Sequence, residues 1–597
     1  MKSKFKYFII LILALTVTVS CDEEFLEPEP LSFLSPDNTL VDAAGFDALL
    51  ITLRKELRWQ YDGERSGICS QSITTDIGFA PARNNTVPRN LALQFTPNSD
   101  GGYKMLDYFD RAYSRPISTA NLLLFYADRA DLESEEERNS ITAAAYFHRS
   151  YWYYQLVHLY GDVPFVGQVI TGPKLDYFTH ARKTILDKIE SDMEFAVQWL
   201  PESNVEGAET KWAGYHLLTK IQLANSNFSG AVQSATEIID GPFSLVENRF
   251  GVDANNPDRD YIWDLARPEN VFNRANTETI LGFVDRFDAP QGANSDGTGR
   301  ATHRDFVPAW WNGAVRDSNG ARGSIDVISG VWTTMIDTIG RGNAWSRGTP
   351  YYIYEMWDDA NDLRRSDGNW VDKDELVYNN PSSADYLQPV NPNNFGDPAQ
   401  DSLQFYYAFP HYKTFIPHDE TDDSRPDGGF GNGYIYRLAE TYLLRAEANY
   451  WLGNTAAAAD DINEVRNRAN ASDISGGDVT IVKILEERAK ELYLEEPRKV
   501  ELTRISLIMA DNNLNGYSID NLSEKSFYFD HVIDKNIFYK VGSTIRGVQA
   551  TIEPRFVLWP IPAVTITNNS KGVINQNKGF PGAEQNVPPL TVIDDSQ

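Results

Sequence analysis

Six of the thirteen tryptophans lie between Trp310 and Trp370: Trp310, Trp311, Trp332, Trp345, Trp357 and Trp370. Tyr351, Tyr352 and Tyr354 lie among them. A flat aromatic ring can pack against the C–H face of a pyranose, whose rim of hydroxyls then needs donors and acceptors. Asn312, Arg316, Asn343, Asp358 and Asp359 carry such groups in the same stretch. The candidate ligand-binding set is therefore Trp310, Trp311, Trp332, Trp345, Tyr351, Trp357, Asn312 and Asn343. Trp310 and Trp311 point apart in an extended chain, so one of the pair is expected to face ligand. The competing reading is that most of these rings fill a satellite core beneath long loops. The polar loop Phe79–Tyr103, rich in Asn, Arg and Gly, is a second candidate contributor.

Other chemistries find little support. DNNLNGYSIDNL starts like a calcium loop at Asp511, Asn513, Asn515 and Gly516, but position twelve is Leu522 where a bidentate glutamate is needed. A turn after a helix is the better reading. The acidic loop PHDETDDSRPDGGFGNG reads as solvated. Gly429, Gly431 and Gly433 lack the strand that a phosphate cradle requires. The eight histidines form no H-E-x-x-H pattern, and no G-x-S-x-G elbow is present. No metal site, catalytic residue or cofactor is expected. With 84 acids there is room for a glycosidase-type carboxylate pair, so a glycan-degrading enzyme stays as an alternative.

The formal charge of −30 argues against nucleic acid as a partner. Two cysteines cannot build a disulfide framework. Lys2, Lys4 and Lys6 precede an apolar run from Tyr7 to Val19, then Ser20 and Cys21. This is the order of a secretory signal, over residues 1–20, and the run is too short to span a bilayer, which takes roughly 20 residues. Cys21, followed by Asp22, Glu23 and Glu24, resembles a bacterial lipoprotein cleavage site, with Thr18 departing from the usual aliphatic residue. Cys21 is thus the expected lipid attachment point. Acyl chains, at about 0.8 kcal/mol per buried CH₂, would anchor it durably. The proline- and acid-rich residues 21–40 read as a tether.

The elements that must position the aromatic window are helical. Arg138–Tyr160 is a long apolar-aromatic helix stopped by Gly161 and Pro164. Tyr146, Phe147, Tyr151, Trp152, Tyr153 and Tyr154 on it are expected in the core. Ala181–Leu200 shows helical spacing and ends at Pro201. KWAGYHLLTKIQLANSNFSGAVQSATEIID and YRLAETYLLRAEANYWLGNTAAAADDINEVRNRA each read as a helical hairpin with small residues at the contact, the tetratricopeptide-like pattern. Ile481–Asp511 reads as helical, whereas HVIDKNIFYKV and RFVLWPIP read as short β pieces. Residues 288–433 lack long helices.

Five segments in order resemble the SusD/RagB family of nutrient-binding outer-membrane lipoproteins. They are CDEEFLEPEP, YFHRSYWYYQLVHLYGDVPFV, IYRLAETYLLRAEANYWLG with ADDINEVRNRA, EERAKELYLEEPRKVELTRI, and VLWPIPAVTITNNSKGVINQNKGF. Glu501 stands where the family more often has Asp, and Pro497 where Gly or Gln is usual. The resemblance implies a mostly α fold: a single large globule with tetratricopeptide-like helical hairpins and an irregular loop-rich region carrying short β pieces. On that basis residues 41–287 form an N-terminal helical region, 288–433 the loop-rich aromatic region, and 434–597 a C-terminal helical region with the closing segment. It also implies lipid attachment to the outer membrane, facing the exterior. The implied partner is a SusC-like TonB-dependent barrel that the protein caps as a lid. The implied ligand is a glycan, or a peptide in lids of the RagB kind, and the implied activity is binding rather than catalysis.

Overall fold

Ser134 caps the start of the longest helix, and Glu137 holds the residue before the cap. The Ser134 hydroxyl accepts from the Glu137 amide at 3.1 Å, and the Glu137 carboxylate accepts from the Glu133 amide at 2.7 Å. Three glutamates in the first turn complement the positive helix end. The helix ends at Gly161, whose φ of 73° suits a residue without a Cβ. This computed structural model describes residues 36–287, 299–417 and 426–594. Cys21, the signal, the tether up to residue 35 and residues 418–425 of the acidic loop lie outside them.

The main helices are α1 (Ala43–Arg58), α2 (Ser118–Ala127), α3 (Glu135–Tyr160), α4 (Arg182–Trp199), α5 (Lys211–Ala224), α6 (Phe228–Ile239), α7 (Leu438–Trp451), α8 (Thr455–Arg468), α9 (Ile481–Leu492), α10 (Arg498–Asp511) and α11 (Phe527–Lys535). Five antiparallel two-stranded pairs join them among the described residues: β1 (Gly78–Phe79) with β7 (Arg347–Gly348), β2 (Val163–Pro164) with β3 (Thr179–His180), β4 (Thr279–Phe283) with β8 (Gly433–Arg437), β5 (Val327–Ile328) with β6 (Val331–Trp332), and β9 (Thr544–Ile545) with β10 (Val548–Gln549). The fold is mostly α, as expected, and one hydrophobic cluster runs from Leu40 to Phe580.

The two predicted hairpins, α5–α6 and α7–α8, stack on each other. Leu223 and Ala231 of the first meet Leu444 and Ala448 of the second. Gly214 lets α5 approach α4, since a Cβ there would lie 3.0 Å from Leu200. On α3, Phe147, Tyr151, Trp152, Tyr153 and Tyr154 are buried, and Tyr146 packs at the core edge.

Three expectations need correction. Ile481–Asp511 is two helices, α9 and α10, broken at Leu494 (φ 64°) and restarted after Pro497. On either side of the break, Glu491, Glu495 and Glu496 pair with buried arginines. HVIDKNIFYKV is helical, in α11 and the short turn Ile537–Lys540. The buried Phe527, Tyr528, His531 and Val532 of α11 follow the helical period. Ser526 caps α11, while Asn536 leaves the helix to donate to the Thr75 and Gly78 carbonyls at 2.8 and 3.0 Å. β-branched and aromatic content had masked that period. RFVLWPIP forms a short 3-10 turn, Pro554–Val557, and then extends without a strand partner among the described residues.

A buried ion lattice joins these helices. Arg437, where β8 runs into α7, bonds Glu278 and Glu491 at 2.8 Å and Glu495 at 2.7 Å. Arg468 at the end of α8 bonds Glu278 at 2.6 Å and also Glu491. Arg364 bonds Asp362 and Glu487 at 2.7 Å and Glu491 at 3.2 Å. Arg504 on α10 bonds Glu447 on α7 at 2.7 Å and Glu501 at 2.8 Å. Burial opposes the ionised Glu491, but Arg468, Arg437 and Arg364 hold its carboxyl well below the usual range. Removing one partner leaves uncompensated buried charge, which costs about 3–5 kcal/mol. Glu491→Gln should therefore lose stability on that scale in urea unfolding. Lys183→Ala, at the exposed Lys183–Asp187 pair, should lose less than about 1 kcal/mol. Equal small losses would rule out the lattice as a structural constraint.

Candidate functional site

The tryptophan window divides into two places. Trp357 and Trp370 pack edge to face at 5.7 Å, Tyr352 packs on Trp370, and Tyr352 stacks on Tyr493 at 4.2 Å. Tyr351 is 3% exposed and its hydroxyl donates to Glu486 on α9 at 2.8 Å. Asp358 pairs with Lys490 at 2.6 Å and with Lys483, and Asp359 accepts from Ser472. This part of the window is wedged against the C-terminal helices. Tyr351 is buried in this packing, whereas Asp358 and Asp359 are held by their partners at the surface. Trp310 is fully buried, so its ring has no face to offer either. Its neighbour Trp311 is the half-buried member of the pair.

Trp311, Trp332 and Trp345 come together at the surface along a belt of charges. The tight turn Ser329–Gly330, with both residues at positive φ, closes the β5–β6 hairpin that presents Trp332. The Arg341 guanidinium lies 4.1 Å over the Trp311 ring and 5.6 Å from the Trp332 ring. It is held by Asp326 at 3.0 Å and Asp427 at 3.4 Å. Arg304 lies 3.8 Å from Asp427 and bonds Glu64 at 2.8 Å. Glu64 in turn accepts from the Trp345 indole at 2.9 Å, and Arg65 covers that ring at 4.7 Å. The Asn343 backbone N–H donates to the Arg304 carbonyl at 3.0 Å. Trp357 lies with the other group, its indole donating to the Tyr352 carbonyl at 2.7 Å.

Loop 79–103 lies beside this surface. The Tyr103 hydroxyl supports the Trp345 carbonyl at 2.9 Å, and Arg83 lines a cleft of about 570 Å³ with Asn312 and Arg316. Sequence reasoning missed Arg304, Arg341, Glu64, Arg65, Asp326 and Asp427. One signal was available: residues 300–347 of this acidic chain hold six arginines and no lysine. Arginine stacks on aromatic faces and forks to carboxylates, which is its use in the belt. In the candidate calcium loop, Asp511 bonds Arg182 at 2.7 Å, and Asn513 and Asn515 form a left-handed turn. Among the described residues no group of three or more His, Cys, Asp or Glu could hold a metal ion.

Beneath Glu64 and Arg65, one guanidinium serves two acids. Arg58 lies 3.2 Å from Asp62 and 3.3 Å from Asp285. Burial raises the Asp62 carboxyl and Asp285 adds to this, against the pull of Arg58 and Lys104, so it sits at about 7. An unfolded Asp titrates near ~4, so this group favours folding below about pH 4, and that contribution disappears as pH rises through about 7. Asp62→Asn keeps an acceptor for Arg58 but cannot ionise. The fall in thermal midpoint between about pH 5 and pH 8 should be smaller in Asp62→Asn than in the parent protein. Equal falls would show that Asp62 titrates like an ordinary carboxylate.

Among the described residues no helix is long and apolar enough to cross a membrane. A family model described as "SusD family" matches residues 261–580, and one described as "Starch-binding associating with outer membrane" matches residues 60–223. The chain is 23% identical over 508 residues to SusD-like protein P2 of Formosa agariphila, covering 83% of this chain and 88% of that one. A solved laminarin binding SusD-like protein superposes with a TM-score of 0.61 at 18% identity, over 90% of this chain and all of that one. Surface glycan-binding protein A from Bacteroides thetaiotaomicron gives 0.62 at 17% identity, with the same coverage. The stacked hairpins, the helix closed by Tyr160-Gly161-Asp162 and the match across more than half the sequence all lead to one assignment: this chain belongs to the SusD/RagB family.

Proposed function

We propose that this protein is a cell-surface glycan-binding lipoprotein. It captures oligo- or polysaccharide and passes it to a SusC-like TonB-dependent outer-membrane transporter, for which it acts as the lid. Lipid on Cys21 anchors it to the outer membrane with the folded body facing outward. The observation that carries the reading is the belt of Trp311, Trp332 and Trp345, three half-buried rings interleaved with Arg304, Arg341, Glu64 and Asp427. Rings supply flat apolar faces, and the charged groups between them supply donors and acceptors for sugar hydroxyls. Asn343 and Asn312 are neighbours of this belt in sequence, Asn312 directly after Trp311 and Asn343 two residues before Trp345. The names of the relatives, one binding laminarin and another a surface glycan-binding protein, support carbohydrate as the ligand class.

Binding without turnover is the proposed activity. Many of the inward-facing carboxylates, such as Glu491, Glu447 and Glu278, are committed to arginines rather than poised across a cleft. Affinity electrophoresis and calorimetry against a panel of glycans and peptides test the reading. Trp311→Ala and Trp345→Ala should each weaken glycan binding by about tenfold or more, the scale of one lost aromatic platform. Trp310→Ala should instead lower the thermal midpoint, since that ring is core. Incubation with polysaccharide should release no new reducing ends. Glycan binding unchanged in both surface variants would remove the belt from the site, and peptide binding alone would replace the ligand class.

A further inference from the structure

The cleft beside Trp311 is lined by groups that suit an anion. Its walls come from four parts of the chain: Arg83, the pair Asn312 and Arg316, the pair Asp397 and Asp401, and Arg546. Asn312 directly follows Trp311, so the belt and the cleft adjoin. Both acids are already engaged. One Asp401 oxygen accepts from Arg83 at 2.9 Å and from Arg546 at 2.5 Å, and the other accepts from the Asp397 amide at 3.1 Å. The Asp397 side chain caps the helix Pro398–Phe405 through the Gln400 amide at 3.2 Å. Asp401 is 3% exposed on its side chain, whereas Arg83 is 45% exposed and free to offer its remaining N–H groups to solvent.

Arg316 is different. It is half-buried, yet its guanidinium has no hydrogen bond or ion pair among the described residues. The Asn312 carbonyl oxygen accepts from the Ala314 amide at 3.0 Å, leaving its NH₂ as a donor. Arg546 occupies the left-handed region (φ 53°) in the β9–β10 turn, where Asn or Gly is the usual choice. Gln400 clamps that turn, accepting from the Arg546 amide at 2.9 Å and donating to the Thr544 carbonyl at 3.0 Å. An uncommon backbone conformation is thus maintained at the position that aims a guanidinium at the cleft. Three guanidiniums face two carboxylates, so the cleft is locally positive in a chain of formal charge −30.

We propose that this cleft binds an oxyanion carried by the saccharide, so that the ligand is an acidic glycan bearing uronate carboxylates or sulfate esters. The inference rests on the glycan-binding reading above. Guanidinium N–H groups pair with carboxylate and sulfate oxygens through short charge-assisted bonds, and several such donors in fixed positions select an anion over a hydroxyl. Trp311 would then hold a sugar face while Arg316, Arg83 and Arg546 take the acidic substituent of the same or the next residue.

The test uses the purified full-length mature protein and calorimetry at low and at physiological ionic strength. Four probes separate the possibilities: oligogalacturonate, alginate oligosaccharide, carrageenan oligosaccharide and laminari-oligosaccharide. At least one acidic probe should bind about tenfold tighter than the neutral one, with a preference that shrinks as salt is added. The uronate and carrageenan arms then tell carboxylate from sulfate. Arg316→Gln, which removes no internal hydrogen bond or ion pair among the described residues, should keep the parent thermal midpoint and lose about tenfold more affinity for the acidic probe than for laminari-oligosaccharide. Neutral binding equal to or tighter than every acidic arm would overturn this inference and leave the glycan reading standing. Equal loss for acidic and neutral probes in Arg316→Gln would do the same. Failure of all four probes to bind would overturn both.

Discussion

Buried charge must be paired, and this requirement organises the C-terminal half of the molecule. Glu491 lies within bonding reach of Arg437, Arg468 and Arg364, which come from three separate parts of the chain. None of these side chains exceeds 3% exposure, so water cannot substitute for a missing partner. A lattice of this kind adds little net stability compared with an apolar core of the same volume. Its effect is on specificity. A one-residue slip of α9, or a straight continuation of α9 into α10, would strand several guanidiniums without partners. The kink at Leu494 and Pro497 is the backbone's response to that demand.

The loop region depends on this frame. Arg364 fixes residues 362–370 against α9, and the Tyr352, Trp357, Trp370 and Tyr493 rings fill the space between. With one end of the aromatic window secured in this way, the other end is free to lie at the surface. There a second, half-buried set of ion pairs runs from Asp326 through Arg341, Asp427 and Arg304 to Glu64, and the three belt tryptophans are attached to it. The same residue types thus serve two purposes. Fully buried, arginine and carboxylate specify how helices dock. Half-exposed beside indoles, they hold rings at fixed angles and leave polar atoms at the surface.

Much of the helical frame was legible in the sequence, because caps, glycine stops and periodicity are local. Ser134 and Gly161 bound α3 whatever surrounds them, and the small residues of the two hairpins announce close helix contact. The misreadings were at Ile481–Asp511, where a tertiary charge demand breaks a helical pattern, and at HVIDKNIFYKV, where β-favouring side chains sit on a capped helix. In the candidate site, the clustering of rings was legible from tryptophan density. Its division was not, since Trp310 and Trp311 are neighbours of the same type and differ only in what packs on them. The arginines were missed for a related reason: their roles depend on partners as distant in sequence as Glu64 and Asp427.

By itself the sequence determined the helical frame, the family and the place where aromatic chemistry is concentrated, since these rest on local spacing and on motifs in fixed order. Only the tertiary structure decided which rings reach the surface and which acids are already engaged. It also decided that Arg83, Arg316 and Arg546 share one cleft. Exposure and pairing are properties of contacts between distant segments, and a half-buried guanidinium without a partner looks the same in sequence as one locked in a lattice.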